Sequence, residues 1–349
     1  MSERFIHGYA LLIGVDENDV PAWALPDVLK DVRALQAVLT HPERCAYPPE
    51  NVRTLSGAGA TRQSILDGLD WLGERVGADA GATVVIYFSG HGWRSDAGEF
   101  YLSPRDVRQG QLAARALRAA DFAAAIDALR PQRLLVLLDC CHAGGMGVKG
   151  EAALPEGFAA AAFPPALLMG GQKSAAGPGA KGLETLATGR GRAVLCSSTG
   201  EQRSYIRKDR AMSIFTFHLI EALTGHAEPK EGATEVLVSD VMSHVYRRVP
   251  ASARADWGAE QTPDGLVSGN FPVALLLGGR GLSRGQSAPD PLELSAVEAG
   301  RPAYHAELHG SGAIAQGPGA VAAGERGVAI GGSVQGSIII TGDKNEVKR

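Results

Sequence analysis

The 349-residue chain has little of what marks secreted, membrane-spanning or nucleic-acid-binding proteins. It carries four cysteines, two of them adjacent, which is not the even spacing of a disulfide framework. Aromatic residues make up 6% and basic residues never pile up in a long run, so a base-stacking or phosphate-tracking surface is not expected. The formal net charge is −4, which gives no pull toward nucleic acid or an anionic membrane. No segment approaches the roughly 18–20 apolar residues that cross a bilayer. The opening MSERFIHGYALLIGVDEND lacks a signal-peptide build, because the apolar run Tyr9–Val15 ends in acids rather than a cleavage site. The expectation is a protein of the reducing cytoplasm.

What the chain does have is core. Hydrophobic residues are 45% and charged residues 21%, the balance of a globular protein with a full apolar interior. Five runs read as buried strands: Tyr9–Val15, Thr83–Ser89, Arg133–Asp139, Arg192–Ser197 and Phe271–Leu277. Each is a continuous β-branched or leucine-rich stretch, as in strands covered on both faces. Between them lie helical patterns. In 25–39, Leu25, Val28, Leu29, Val32, Leu35 and Leu39 follow i, i+3, i+4 spacing. Thr61 is placed to cap a helix carrying Ile65, Leu66, Leu69 and Leu72. Asp121–Leu129, Ser213–Leu223 and Ser239–Val249 supply three more. Strands alternating with helices predict an α/β fold, a central, mainly parallel sheet of six or more strands flanked by helices.

Two segments break the rhythm. Residues 143–191 are rich in Gly, Ala and Pro without a sustained period, which predicts a long functional or disordered loop. After Leu277 a linker over 278–309 leads into a Gly/Ala/Val-rich tail, 310–349. The tail reads as flexible low-complexity chain, or, through Ser337–Thr341, as a strand that adds to a partner.

Two of the strand runs end in reactive groups. TVVIYFSGHGW closes on Ser89-Gly90-His91-Gly92, and LLVLLDCCHAGG on Asp139-Cys140-Cys141-His142. In open α/β sheets chemistry gathers beyond the carboxyl ends of strands. A thiol attacks an amide as thiolate, so it needs a base or cation beside it. A histidine on a neighbouring strand tip meets that need and can protonate the leaving amine. Glycines beside it let main-chain N–H groups approach, and those of Gly92 and Cys141 are the candidate oxyanion donors. Alternation along a strand sends Asp139 and Cys141 to one face and Cys140 to the other, although spacing alone leaves Cys140 as a rival nucleophile. Zinc is the competing chemistry for Cys140, Cys141, His142 and His91. Adjacent cysteines fit a tetrahedron poorly and no C-x-x-C pair is present, so no metal site is expected.

SGHG followed by D-x-C-H-x-G, each closing a hydrophobic strand, resembles the caspase-like clan of cysteine peptidases, and most closely the metacaspases and their prokaryotic relatives. The resemblance covers about residues 5–277. It extends to YALLIGVDEN at the first strand, AVLCSSTGEQRSY with SIFTFHLIEAL in the small-subunit-like half, and QTPDGLVSGNFPVALL at the last strand. It implies a peptidase domain over 1–277. Residues 1–142 form its large-subunit-like part, 143–191 its linker or activation loop, and 192–277 its small-subunit-like part.

By the same resemblance His91 and Cys141 form the catalytic dyad, with Cys140 a neighbour. Asp31, Ser89 and Asp139 line the primary specificity pocket. Asp139 stands two before the nucleophile, where the Asp-specific animal enzymes carry glutamine. A buried carboxyl there favours a cationic residue, so cleavage after Arg or Lys is expected. Asp31 matches the family's second pocket acid, against the alternative of a solvated helix residue. No cofactor is expected. Many metacaspases bind calcium through clustered acids, but here Asp106 and Asp121 are what remains and Val148 occupies a commonly acidic position, so calcium dependence is doubtful. Lys149, Lys173, Lys181, Arg190 and Arg192 are candidate processing positions in or beside the loop. The basic cluster Arg203, Arg207, Lys208 and Arg210 reads as a solvated loop. The implied partners are protein substrates with basic residues and an upstream activating protease or sensor, in a bacterial stress, defence or cell-death setting. The alternative is a catalytically silent scaffold acting through its tail.

Overall fold

The computed structural model describes residues 4–140, 156–170, 191–227 and 233–276. In chain order the first half contains β1 (Gly8–Gly14), α1 (Val28–Thr40), β2 (Val52–Leu55), α2 (Arg62–Gly77), β3 (Thr83–Gly90), β4 (Gly92–Ser95) and β5 (Phe100–Leu102). There follow α3 (Leu112–Arg115), β6 (Leu117–Arg118), α4 (Ala119–Leu129), β7 (Arg133–Cys140) and β8 (Phe158–Ala160). The remainder is β9 (Gly191–Cys196), α5 (Ile214–Leu223), β10 (Glu235–Leu237), α6 (Val238–Trp257), β11 (Asp264–Ser268) and β12 (Pro272–Leu275). Cys141, Lys149, Lys173, Lys181, Arg190 and the whole of the linker and tail beyond Leu276 lie outside the described residues.

A six-stranded sheet in the order β11-β9-β7-β3-β1-β2 forms the centre, parallel throughout except for β11 at its edge. The expected α/β fold with a mainly parallel sheet is therefore present. Because successive side chains on a strand alternate, each strand feeds two cores. Leu12, Val85, Tyr87, Leu135 and Leu137 pack with α1, α5 and α6 on one face. Leu11, Ile13, Ile86, Phe88, Val136 and Leu138 pack with α2 and α4 on the other. Each such side chain contributes roughly 1.5–3 kcal/mol by leaving water. Thr61 caps α2 as expected, its Oγ1 accepting the Ser64 N–H at 3.1 Å.

Four of the five strand runs lie in this sheet. The fifth does not: Phe271–Leu277 contributes β12, which pairs antiparallel with β10 in a separate two-stranded sheet. The sixth sheet strand is instead β11, half-exposed and too short of apolar residues to stand out. β2 fills the opposite edge. Nor is 143–191 wholly irregular. Within it Phe158–Ala160 joins β4, β5 and β6 in a four-stranded antiparallel sheet, and Phe163 and Leu168 enter the core beneath α4. The last helix runs past Val249 and Pro250 to Trp257, since Val245, Val249 and Ala253 continue one buried stripe. No described helix is long and apolar enough to cross a membrane.

Candidate active site

β3 and β7 are parallel neighbours in a register that pairs Ser89 with Asp139 and Gly90 with Cys140. His91 directly follows β3, and Cys141, next in sequence after Cys140, lies outside the described residues.

His91 is half-buried between two glycines. Its Nε2 lies 2.9 Å from the carbonyl oxygen of Trp23. A carbonyl can only accept, so Nε2 carries a proton. The imidazole also stacks on Trp93, 5.6 Å between centroids at 17°, and Trp23 meets Trp93 edge-on at 5.0 Å. Trp23 and Trp93 are both buried. Two indoles and one carbonyl therefore set the ring's tilt and hold a proton on Nε2. Nothing in the sequence singled out Trp23, because a backbone acceptor has no residue signature.

The glycines have a packing reason. A Cβ on Gly92 would stand 2.8 Å from the Ala161 carbonyl oxygen and 3.1 Å from the Cys140 Cβ. A Cβ on Gly90 would stand 3.1 Å from the Phe88 ring and 3.2 Å from the Val15 Cβ. The space at Gly92 is taken by Ala161, the residue after β8, whose N–H donates to Gly92 O at 3.1 Å.

Asp139 and Cys140 point to opposite faces, as alternation requires. Cys140 is buried among the apolar side chains of the α2/α4 face. Asp139 is fully buried on the α5 side, where its Oδ1 accepts from Ser204 Oγ at 2.6 Å. Its Oδ2 accepts from Ser213 Oγ at 2.5 Å and Thr216 Oγ1 at 3.3 Å. Thr216 in turn meets the Tyr87 hydroxyl at 2.7 Å. With Thr216 donating to Asp139, the phenol donates to Thr216, so the chain of donors is consistent. Gln261, fully buried, donates to Ser204 Oγ at 3.2 Å and to Ser197 O at 3.0 Å.

Asp31 is not a solvated helix acid. It is 1% exposed, and its Oδ1 accepts the Ser213 N–H at 2.8 Å. Ser213 therefore touches both acids, its amide on Asp31 and its hydroxyl on Asp139. It is also the cap of α5, accepting the Thr216 N–H at 2.9 Å. Burial, and then the nearby Asp139 carboxyl, push Asp31 well above the usual carboxylate range, against the pull of the Ser213 amide. Ser89 is fully buried too, and its Oγ makes no hydrogen bond of normal geometry, although it lies near enough to Tyr87 to ease that phenol's ionisation slightly.

The remaining candidates are placed as follows. Arg192 sits inside β9, paired in register with Leu134 on one side and Ser268 on the other. Its guanidinium, 13% exposed, pairs with Asp127. A residue held in a central strand offers no accessible peptide bond, which corrects its candidacy as a processing position. Asp106 accepts the Arg62 N–H at 2.8 Å at the start of α2, and Asp121 pairs with Arg118 at 2.9 Å and Arg62 at 3.6 Å. Arg207 pairs with Asp209 at 2.8 Å and Arg210 pairs with Asp27. The basic loop is thus laced with acids.

The model of the caspase domain family matches residues 7–267. The chain belongs to the caspase domain family, a family of cysteine peptidases. Among solved structures it is similar to GSU0716 from Geobacter sulfurreducens, at 17% identity and a TM-score of 0.46, over 77% of this chain and 99% of that one. It is also similar to pro-sf-caspase-1, at 13% identity and a TM-score of 0.42, over 79% and 96%. No curated protein matches.

Proposed function

We propose that the protein is a cysteine endopeptidase that cleaves after Arg or Lys through His91 and Cys141. One observation carries the specificity: two buried carboxyls, Asp31 and Asp139, bridged by Ser213 beside the under-bonded Ser89 hydroxyl. The two buried acids repel each other, and an arriving guanidinium or ammonium offsets that repulsion by charge-assisted hydrogen bonds. An acidic substrate residue would worsen the repulsion.

In the proposed reaction the Cys141 thiol gives its proton to Nδ1 of His91, and its sulfur attacks the scissile carbonyl carbon. The carbonyl electrons move to oxygen, held by the N–H groups of Gly92 and Cys141. Collapse expels the amine, which takes the proton from His91, and water then hydrolyses the thioester. The Trp23 carbonyl, by keeping the proton on Nε2, supports Nδ1 as the nitrogen that shuttles.

No cofactor is required on this reading, and calcium is not needed. Asp106 and Asp121 are already committed to Arg62 and Arg118. The proposal further places the protein in the cytoplasm, acting on proteins with basic residues rather than on nucleic acid or membranes, in a stress or defence setting. It would be activated by cleavage at Lys149, Lys173, Lys181 or Arg190, with the tail binding a partner. Fluorogenic Arg, Lys and Asp peptides, assayed with the full chain and Cys141→Ala, test it. Turnover of Arg and Lys peptides by wild type alone is expected. Turnover of the Asp peptide, or none at all with or without calcium, would overturn it.

A further inference from the structure

α5 and α6 pack against each other on the face of the sheet that holds Asp139, and a polar cluster lies inside their interface. His218 and Glu221 are one turn apart on α5, and His244 faces them from α6. All three are buried, with side-chain exposures of 2%, 9% and 4%. One oxygen, Glu221 Oε2, receives His218 Nδ1 at 2.5 Å and His244 Nε2 at 2.8 Å. The donor atoms of the three side chains all lie within 4.8 Å of one another. A hydrophobic helix interface has no packing need for two imidazoles and a carboxyl aimed at one point.

We propose that His218, Glu221 and His244 form a zinc-binding site that ties α5 to α6. Two imidazoles and a carboxylate are a donor set suited to zinc or cobalt, and too nitrogen-rich for calcium or magnesium. In a tetrahedral site with bonds near 2.1 Å, neighbouring donors stand about 3.4 Å apart. The N···O separations would widen by roughly 0.6–0.9 Å as the ion came between the donors and each ring's proton moved to its outer nitrogen, a change within reach of side-chain rotation. His218 already has the outer partner that a ligand ring uses, since its Nε2 lies 2.7 Å from Ser252 Oγ. His244 is only 3% exposed and its Nδ1 has no hydrogen-bond partner, so the ring is seated by one hydrogen bond, through the Nε2 aimed at Glu221.

Solvent reaches the cluster on the side of Arg248, half-exposed with its Nε 4.0 Å from Glu221 Oε2. Its charge opposes a cation, so the guanidinium must swing outward as the ion enters, leaving the fourth position to water. The site would act on the pocket through α5, whose cap Ser213 and first-turn Thr216 hold Asp139.

The test uses the full chain carrying Cys141→Ala, stripped with a chelator, so that the strand-tip thiol does not compete. One equivalent of cobalt(II) should give the visible bands of a tetrahedral nitrogen/oxygen site without thiolate charge transfer, and zinc should displace it and raise the unfolding temperature. His218→Gln and His244→Gln should weaken zinc at least about 100-fold, and Ser252→Ala about tenfold or more. X-ray absorption of the zinc-loaded Cys141→Ala chain should show nitrogen/oxygen neighbours with imidazole outer-shell scattering, a measurement that stands even where a glutamine variant fails to fold. No stoichiometric binding at micromolar metal would overturn the proposal. So would sulfur in the first shell, or full affinity in a folded His244→Gln chain. In the first case the cluster is a hydrogen-bonded pin and nothing more.

Discussion

The main-chain carbonyl of Trp23 accepts the Nε2 proton of His91 at 2.9 Å. The acceptor cannot be mutated, but its position can be disturbed. Trp23→Ala removes the indole that wedges against Trp93, which stacks on His91. Misplacement of a catalytic group by about 1 Å costs on the order of 100-fold. We expect kcat on an Arg peptide to fall by about that factor with KM little changed, while the folded spectrum persists. An unchanged kcat would show that the ring is held by something else.

Asp139→Asn should remove basic specificity together with activity. Truncating one partner of a buried charge pair costs about 2–5 kcal/mol, so kcat/KM for Arg peptides should drop by roughly 30-fold to several-thousand-fold. Peptides with a neutral residue at that position should lose far less. Equal losses on both would mean that Asp139 supports the fold and does not read the substrate.

Asp31 gives a pH dependence whose sign follows from its raised proton affinity in the folded state. A carboxyl that holds its proton more tightly folded than unfolded stabilises fully below its unfolded pKa, about 4. That contribution is lost as pH rises through the folded value. Asp31→Asn abolishes the titration. The variant's unfolding temperature, compared with wild type, should therefore improve steadily as pH is raised from about 4 toward alkaline values. A constant difference across that range would mean that Asp31 is ionised throughout.

Gly92→Ala places a methyl 2.8 Å from a carbonyl oxygen of the main chain, which cannot rotate away. Overpacking of this kind costs about 1–3 kcal/mol. Denaturant unfolding should show that loss, and activity should fall with it because His91 is the adjacent residue. A neutral substitution would show that β8 yields freely.

The strands that hold the site were legible because they are buried on both faces, so continuous runs such as TVVIYFS and RLLVLLD had no competing reading. The placing of Ser89 beside Asp139 at neighbouring strand ends followed from them, as did the opposite facing of Cys140. What stayed hidden has physical reasons. β11 is half-exposed and β12 leaves the main sheet, and hydrophobicity reports burial rather than which sheet buries it. Trp23 acts through its backbone. Ser204, Ser213, Thr216 and Gln261 are ordinary polar residues whose meaning appears only when the chain brings them to Asp139. Asp31 was reached only through the family resemblance, because α1 alone does not reveal that α5 lies over it.

β7 and β9 are immediate neighbours in the sheet, paired through six residues from Arg133–Gly191 to Leu138–Cys196, yet they are separated in sequence by the long insertion after Cys140. Scission anywhere along that insertion leaves this seam untouched. The severed pieces would still be zipped together by main-chain hydrogen bonds and a shared apolar interior, migrating as one particle in native solution and as two bands once denatured.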